Sequence, residues 1–371
     1  MNVVIAIDSF KGSLSSLEAA HAAEEGILRA HPEAHVTIFP LADGGEGTVD
    51  ALILGLGAER IRAEVSGPLG DSVYVEYGIK DDLAVMEMAA AAGLPLVPVE
   101  KRDGISASTY GVGEMIAHAL KKGCRRFVMG IGGSATTDGG MGMLQALGYS
   151  FRDVEGNEVG RGARALSSVA SISDENVLPE LREASFRIAC DVNNPLCGPR
   201  GAAFIYGPQK GLKTLEETDR DMASYARICA AFTGRDAKDH PGAGAAGGLG
   251  FGFLSFTNAE LHSGIELVLD TIAIDDALKN ADIAVTGEGR IDEQTAMGKA
   301  PGGVAKRAKT YGCRVLAFSG SVGQGARTVN EHGIDAFFPV VRKPISLEEA
   351  LDKDNAWRNL ADTAEQVFRL L

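Results

Sequence analysis

A glycine-rich run, GIGGSATTDGGMG at residues 130–142, constrains the fold of this chain more than any other segment. It follows the apolar residues 127–129 and precedes a helix-like pattern that begins near Met143. Glycine lets the backbone approach a ligand closely, and the N-terminus of a helix carries a partial positive charge. The run therefore predicts an α/β fold in which a strand–turn–helix unit presents its backbone N–H groups to phosphate.

Two better-known nucleotide motifs fit the chain less well. A Walker A loop is missing, because the Gly-Lys pair at 298–299 has Glu293 at the first glycine position and Ala300 where serine or threonine is needed. The run GAGAAG at 242–247 matches the dinucleotide fingerprint, but the polar residues before it end in Pro241, so no strand leads into it. A flexible or tightly packed glycine loop is the better interpretation of that run.

Short β-rich runs, each followed by a helix-like segment, indicate the fold class. The runs lie at residues 3–7, 36–41, 127–131, 283–286, 315–318 and 336–341. They are nearly continuous in apolar residues, which is typical of parallel strands covered on both faces. A Ser15/Glu18 capping box marks the start of the first helix. We predict an α/β protein with a flavodoxin/Rossmann-like, doubly wound parallel domain.

Two segments differ from this pattern and predict a second domain. Residues 61–106 contain alternating, turn-rich runs typical of antiparallel strands, and residues 150–264 hold scattered short strands and one long polar helix near 215–232. We predict a discontinuous first domain (1–60, 107–149 and 265–371) with an inserted α+β domain (61–106 and 150–264). The cleft between the two domains is the expected ligand site.

Polar residues follow the predicted strands where each one ends. They are Asp8, Ser9 and Lys11; Asp43 and Glu46; Gly132, Gly133 and Ser134; Glu288 and Arg290; and Ser319 and Ser321. A single such end is usually a helix cap. Because ligands bind at the carboxyl edge of open α/β sheets, all five ends on one edge indicate a binding site.

Composition indicates which kinds of binding partner and which cellular compartment are expected. The net charge is −14 and aromatic residues make up 6% of the chain, so a nucleic-acid surface or an anionic membrane surface is not expected. No apolar run reaches the length of about 18 residues that a membrane helix needs. The five cysteines are scattered, and the N-terminal run lacks the basic start of a signal peptide. We expect a cytoplasmic protein, either monomeric or homodimeric.

A set of motifs in order gives the chain a family resemblance. They read IAIDSFKGSLSS, PLADGGEGTVDA, EMAAAAGL, GIGGSATTDGGMGM, ACDVNNPLCG, GPQKG, PGAGAAGGLG, SGIELVLD and VTGEGRID. The chain resembles bacterial type I glycerate kinases along essentially its whole length. It departs from the family at Ile7, Phe10 and Gly12, where proline, tyrosine and glutamate are common.

The resemblance implies a flavodoxin-like domain with an inserted α/β domain, and ATP-dependent phosphorylation of D-glycerate to 2-phosphoglycerate. Alternatives are a glycerate 3-kinase or a kinase of a related small hydroxy acid. Less favoured are an NAD-dependent hydroxy-acid oxidoreductase, based on the 242–247 run, and a non-catalytic ligand-binding regulator.

Phosphoryl transfer needs cations near the phosphates, a bound Mg²⁺ and an acceptor held in line, which suggests roles for particular residues. The predicted ATP phosphate cradle is Gly132, Gly133, Ser134, Ala135, Thr136 and Thr137. Lys210, in the GPQKG motif, is expected to reach the phosphates from the other domain. A solvated turn lysine is the alternative for Lys210.

The remaining roles concern glycerate, the metal and the proton. Lys11 is expected to neutralise either the carboxylate of glycerate or the transferring phosphoryl group. The predicted glycerate-binding residues are Asp8, Ser9, Lys11, Asp43, Glu288 and Arg290. The predicted Mg²⁺ ligands are Asp43, Glu46 and Asp191. Asp191 is also the predicted general base, with an Asx-turn aspartate as the alternative interpretation.

Overall fold

The computed structural model describes residues 1–42 and 47–371, which form two compact units. Unit 1 consists of Met1–Gly57 and Ile265–Leu371, and unit 2 of Ala58–Gly264. Unit 2 is therefore one continuous segment of chain that separates the two parts of unit 1. Over the described residues, no helix is long and apolar enough to span a membrane.

The strands, in chain order, are β1 (Asn2–Ile7), β2 (His35–Ile38), β3 (Glu59–Ser66), β4 (Ser72–Lys80), β5 (Leu83–Glu87), β6 (Arg126–Gly130), β7 (Ser150–Arg152), β8 (Ser171–Ser173), β9 (Ser185–Ala189), β10 (Ala259–His262), β11 (Ile283–Ile291), β12 (Arg314–Val322) and β13 (Ala336–Pro339).

The helices are α1 (Ser16–Ala30), α2 (Thr48–Leu56), α3 (Ala89–Ala92), α4 (Tyr110–Lys121), α5 (Met141–Ala146), α6 (Ala202–Tyr206), α7 (Leu215–Thr233), α8 (Ala245–Phe256), α9 (Gly264–Thr271), α10 (Ile274–Leu278), α11 (Ala300–Thr310), α12 (Leu347–Leu351) and α13 (Lys353–Phe368). Short 3₁₀ turns include Pro208–Lys210 and Glu293–Met297.

Unit 1 is built on a five-stranded sheet in which every described pairing is parallel, with the order β13-β12-β11-β1-β2. Alternate residues of β1, beginning with Val3, pack in one core with α1 and α13. Val4 and Ala6 point the other way and are buried as well, where α11 contacts β1 and β11. The continuous apolar strands of the sequence thus have helices on both faces, as that pattern predicts.

The contact between α1 and α13 explains the small residues of the first helix. Ser15 Oγ accepts a hydrogen bond from the Glu18 N–H (3.3 Å), and the Glu18 carboxylate accepts one from the Ser15 N–H (3.0 Å). The predicted capping box is therefore confirmed. Further along α1, Gly26 lies so close to α13 that a β-carbon there would stand 2.0 Å from the carbonyl oxygen of Ala361.

Unit 2 contains a six-stranded mixed sheet with the order β10-β9-β6-β5-β4-β3. The pairs β10–β9, β9–β6 and β6–β5 are parallel, while β4 is antiparallel to both β5 and β3. The antiparallel strands predicted within residues 61–106 are therefore present. Phe127 and Phe186 stack at 4.7 Å in the core of this unit.

The structure differs from the predicted domain boundaries for residues 107–149. The prediction placed them in the first domain, but β6 hydrogen-bonds to β5 and β9, so this segment belongs to unit 2. An apolar strand followed by a helix looks the same in sequence whichever parallel sheet it joins. Hydrophobic periodicity could therefore not assign β6 to a sheet.

Substitution of Gly26 by alanine tests the close packing of α1 on α13. Alanine ordinarily stabilises a helix relative to glycine by up to about 1 kcal/mol. Here the clash with Ala361 should reverse the sign, and we expect a loss of about 1–3 kcal/mol, the scale of overpacking in a core. Urea unfolding measures the change, with Glu33→Ala, an exposed position just after α1, as the control. A stabilised Gly26→Ala variant would contradict this packing.

Candidate active site

The predicted strand-end residues belong to two sheets rather than to one edge. Asp8, Glu288 and Ser319 lie on the five-stranded sheet of unit 1, whereas Gly132 and its neighbours follow β6 in the sheet of unit 2. The expectation of a single edge was wrong because it assigned β6 to the first sheet. The candidate site residues therefore form one set in each unit, and each set is described by itself.

In unit 1, Asp8, Glu288 and Ser319 form a row across three neighbouring strands. The register pairs Ile7 with Gly287 and Glu288 with Ser319, and the Asp8 N–H donates to the Gly287 carbonyl (2.9 Å). All three residues are buried. The Ser319 hydroxyl has no hydrogen-bond partner among the described residues. The row places two carboxyl groups and one hydroxyl side by side at the carboxyl end of the sheet.

Glu288 sits in an environment that resists its ionisation. Burial raises the pKa of its carboxyl group, and the charges of Asp8 and Asp292 raise it further. A hydrogen bond from Thr295 Oγ1 (2.5 Å) and the ammonium of Lys299, 3.9 Å from Oε2, lower the pKa in part. Glu288 is thus suited to exchange a proton or to accept a hydrogen bond from a substrate hydroxyl.

The cationic side chains of unit 1 are more exposed than these carboxyl groups. Lys11 is exposed in a tight turn closed by hydrogen bonds between Phe10 and Leu14. The Arg290 side chain is 64% exposed, with Nε 3.6 Å from Asp292 Oδ2. Ser9 follows Asp8, which accepts a hydrogen bond from its N–H (2.7 Å). The two exposed cations can attract an anion to this set.

In unit 2, the glycine-rich loop has an exposed tip and a buried base. Gly132 and Gly133 are exposed, and Gly133 has a positive φ of 73°, which glycine adopts without strain. Ser134, Ala135, Thr136 and Thr137 are buried. The loop is fastened to the segment after β5, since Leu94 N–H donates to Gly133 (2.8 Å) and Ala135 N–H donates to Ala92 (2.8 Å).

Lys210 holds this loop from beneath. Its ammonium donates to Ser134 Oγ (2.7 Å) and to the carbonyl oxygen of Thr136 (2.6 Å), and the side chain is 2% exposed. The alternative of a solvated turn lysine is therefore wrong. Lys210 and the loop also lie in one unit and not in two. Burial lowers the pKa of Lys210 to about 7, although the carboxylate of Asp138 opposes that shift.

Asp138 anchors the other end of the loop. It is fully buried and accepts hydrogen bonds from Thr109 N–H (2.7 Å), Thr109 Oγ1 (3.0 Å) and Gly142 N–H (3.3 Å). Burial raises the pKa of the Asp138 carboxyl group, and these donors lower it in part. Since Gly142 lies in the first turn of α5, Asp138 helps to cap that helix. The loop is thus held at Lys210 and at Asp138.

Asp191 lies on the same sheet edge as the loop. Gly130, the last residue of β6, pairs with Ala189, the last residue of β9, so the segments that follow these strands are neighbours. Asp191 is exposed, and its Oδ1 accepts a hydrogen bond from the Gly264 N–H (2.9 Å). This bond orients the carboxylate at the strand end.

The predicted metal ligands are only partly described. Asp43, expected to bind glycerate and Mg²⁺, and Glu46, expected to bind Mg²⁺, lie outside the described residues. Among residues 1–42 and 47–371, no group of three or more His, Cys, Asp or Glu side chains is placed to hold a metal ion.

The fingerprint-like run at 242–247 has a packing role. The segment before it, residues 236–241, forms no strand. A β-carbon at Gly247 would stand 1.9 Å from the Thr136 carbonyl oxygen, and one at Gly248 would stand 2.7 Å from Gly139 Cα. Gly139 N–H donates to Gly247 (3.0 Å). These glycines let α8 pack directly on the loop, which confirms the tightly packed alternative and gives the dinucleotide interpretation no support.

Sequence reasoning missed several polar residues of these sets. Thr295 and Lys299 contact Glu288, and Thr109 binds Asp138. Thr295 lies in the 3₁₀ turn after β11, Lys299 just before α11, and Thr109 just before α4 and 29 residues from Asp138. Only the Gly-Lys pair at 298–299 gave a signal, and it was considered only as a failed Walker A motif.

Comparison with known proteins adds independent findings. A family model described as "Glycerate kinase family" matches residues 3–371. A glycerate kinase of Halalkalibacterium halodurans is 47% identical over 368 residues, covering 97% of each chain. The glycerate 2-kinase of Escherichia coli K12 is 46% identical over 373 residues, covering 98% of each chain.

A solved structure agrees with the fold. A crystal structure from Salmonella typhimurium LT2, provisionally identified as glycerate kinase 2, superposes with a TM-score of 0.91 at 43% sequence identity. The match covers all of this chain and 98% of that one. The mixed α/β architecture with parallel sheets is thus shared along the whole length.

Replacing Lys210 by methionine tests its buried, pKa-shifted state. The pKa of Lys210 falls from its ordinary value of 10.5 to about 7 on folding, so between these values the unfolded chain binds more protons. Stability therefore rises with pH across this window, and the penalty of the buried charge is fully present below about pH 7. The free energy of unfolding of the wild type, minus that of Lys210→Met, should increase from pH 7 to 10.5.

Urea unfolding at several pH values measures this difference, with Lys213→Met, an exposed lysine of the same segment, as the control. A difference between wild type and Lys210→Met that stays constant across the range would contradict the shifted pKa.

Proposed function

The chain belongs to the glycerate kinase family, and we propose that it transfers the γ-phosphoryl group of ATP to the 2-hydroxyl of D-glycerate. The observation that carries this proposal is the whole-length family match, together with a clamped glycine loop at the end of a parallel strand. The match to a glycerate 2-kinase favours 2-phosphoglycerate as the product over 3-phosphoglycerate.

We propose that the phosphates of ATP lie at the loop that begins with Gly132 and Gly133. Their exposure lets an anion approach the backbone N–H groups without a side chain in the way. Behind them, Lys210 fixes Ser134 and Thr136. The hydroxyls of Thr136 and Thr137 are buried without a partner among the described residues. Lys210 thus acts mainly by shaping the cradle, because its ammonium is enclosed by the loop.

We propose that glycerate binds to the unit 1 set. Its carboxylate is attracted by the exposed cations Lys11 and Arg290, since a carboxylate needs a positive partner. Its hydroxyls donate to the carboxyl groups of Asp8 and Glu288, with Ser9 beside them. Asp43, which lies outside the described residues, stays a predicted member of this set.

The transfer itself needs positioning and charge stabilisation more than covalent help. The 2-hydroxyl oxygen forms a bond to the γ-phosphorus as the bond from that phosphorus to the β–γ bridging oxygen breaks, and ADP leaves with the electron pair. We propose that the hydroxyl proton passes to Asp191, whose carboxylate is oriented by Gly264. Lys11 would stabilise the charge on the transferring phosphoryl group.

We propose that Mg²⁺ arrives as the magnesium complex of ATP and is thus part of the substrate. Magnesium commonly binds through one or two carboxylates together with substrate phosphates. The exposed carboxylate of Asp191 fits that role, and Asp43 and Glu46 stay predicted ligands.

We also propose a finer description of the fold. Counted within unit 1, the strand order is 2-1-3-4-5, which is the order of flavodoxin-like sheets. Helices lie on both faces of this sheet, and unit 2 interrupts unit 1 as one segment. These observations support a doubly wound, flavodoxin-like domain with an inserted α+β domain.

The proposed function is tested by following ADP release from Mg·ATP with a coupled assay. We expect ADP release that depends on D-glycerate, with little hydrolysis of ATP in its absence. The same assay with L-glycerate and with other small hydroxy acids compares kcat/KM among acceptors. A folded protein that turns over another hydroxy acid much faster than D-glycerate would contradict the substrate assignment.

Substitution of Lys11 by alanine tests its electrostatic role. We expect kcat to fall at least about a hundredfold, the scale of losing one positioned charge-stabilising group. Steady-state kinetics measure the change, and Lys306→Ala, which removes a lysine that is 78% exposed in the same unit, should keep normal turnover. Near-normal turnover in Lys11→Ala would remove Lys11 from the mechanism.

A further inference from the structure

Unit 1 contains a cavity in which the proposed roles involve only Lys11, at its lining. Its volume is about 500 Å³, within the range of about 300–1,000 Å³ that small-molecule sites occupy. Its floor is formed where β11 and β12 end, at Gly289, Gly320 and Ser321. Carboxyl ends of parallel strands are where open α/β sheets bind ligands. The cavity therefore lies at the edge of this sheet where a substrate is expected.

The walls of the cavity are mainly aliphatic. Val340 and Val341 follow β13, and Leu347 and Leu351 come from the short helix α12. Leu347 is 75% exposed and Leu351 is 38% exposed, on a helix whose other residues are Glu348, Glu349 and Ala350. Large apolar side chains that remain exposed around a cavity are typical of a surface that binds a ligand or a partner.

A few polar side chains also line this mainly apolar cavity. Lys11 lines the cavity and brings a positive charge to it, and Ser321 contributes a hydroxyl. Asn359, on α13, offers an amide with both donor and acceptor groups. An apolar cavity with a few polar groups and one cation fits a ligand that has a flat, mostly apolar group joined to an anionic group.

Of the two substrates, only the nucleotide has a part of this kind. Glycerate is a three-carbon acid with two hydroxyls, so it presents no apolar face to Val341 or Leu347. The purine of ATP has two apolar faces and a hydrogen-bonding edge, and it is joined through ribose to a polyanion. Lys11 is then placed to meet negative charge that leaves the cavity.

We propose that this cavity of unit 1 binds the purine base of ATP between the residues after β13 and helix α12. The proposal rests on the proposed function for its choice of ATP, and it concerns the base alone. Leu347 and Leu351 would cover one side of the base, and Asn359 would bond its edge.

Filling the cavity from α12 tests this site. Ala350 lines the cavity, so Ala350→Trp should occupy the space of the base. Titration calorimetry with adenosine, ATP, inorganic tripolyphosphate and D-glycerate separates the parts of the substrates. We expect affinity for adenosine and ATP to fall at least about tenfold, the scale of a lost buried contact. Affinity for tripolyphosphate and glycerate should be unchanged.

Two further variants make the test interpretable. Glu348→Trp adds the same side chain at an exposed position of α12 that does not line the cavity, and it should bind adenosine normally. Leu351→Ala removes part of the apolar wall without filling the space, so it should also weaken the binding of adenosine. This variant tests the site if Ala350→Trp fails to fold.

Unchanged adenosine binding in a folded Ala350→Trp protein would overturn the site, as would a selective loss of glycerate binding. Loss of adenosine binding in Ala350→Trp would support the cavity assignment even if the wild-type protein did not phosphorylate glycerate. That absence of activity in the wild type would contradict the proposed function.

Discussion

The two hydrogen bonds from the buried ammonium of Lys210 are the interaction on which the candidate phosphate site depends. They join Ser134 and Thr136 across the base of the glycine loop. Burying an ammonium group costs several kcal/mol unless hydrogen bonds or opposite charge compensate. Here the loop supplies both acceptors, and Asp138 supplies the nearby negative charge. A loop held in this way presents Gly132 and Gly133 in one conformation, which is the preorganisation that charge stabilisation requires.

The unit 1 set follows a different principle, since it gathers like charges. Asp8 and Glu288 are buried on neighbouring strands, and the charge of Asp8 raises the cost of ionising Glu288. Lys299 and Thr295 reduce that cost without removing it. We propose that these carboxyl groups accept hydrogen bonds from the substrate hydroxyls, and that the exposed Lys11 and Arg290 compensate the charge of an anionic substrate. The arrangement suits a small hydroxy acid with a single carboxylate.

Much of the fold followed from patterns that local physics controls. The strands at residues 3–7 and 315–318 are continuous apolar runs, and the start of α1 is a capping box, so periodicity and capping rules predicted them well. The sheet that β6 joins could not be predicted this way, because partner choice among parallel strands depends on tertiary packing. The error in the domain assignment of residues 107–149 and the expectation of a single sheet edge have this one cause.

The candidate site shows the same difference between features set by local sequence and features set by tertiary packing. Gly132 and Ser134 could be proposed as phosphate-binding residues from the sequence because the turn chemistry of a glycine-rich run is local. Thr295, Lys299 and Thr109 could not be proposed in this way, since no pattern in the sequence marks which side chain each of them contacts. The role of Lys210 near the phosphates stays a prediction, and its burial beneath the loop could not be read from a polar turn motif. Burial of a charged side chain is a property of the packed unit, and the sequence around it looks solvated.

NMR of the reaction product tests most directly whether the phosphoryl group is transferred to the 2-hydroxyl of glycerate. The protein is incubated with D-glycerate and Mg·ATP, and the ³¹P–¹H couplings of the purified product are recorded. Coupling of phosphorus to the single proton at C2 is the predicted result. Coupling to the two protons at C3 would contradict the acceptor assignment, and a folded protein that forms no phosphorylated glycerate would contradict the transfer itself.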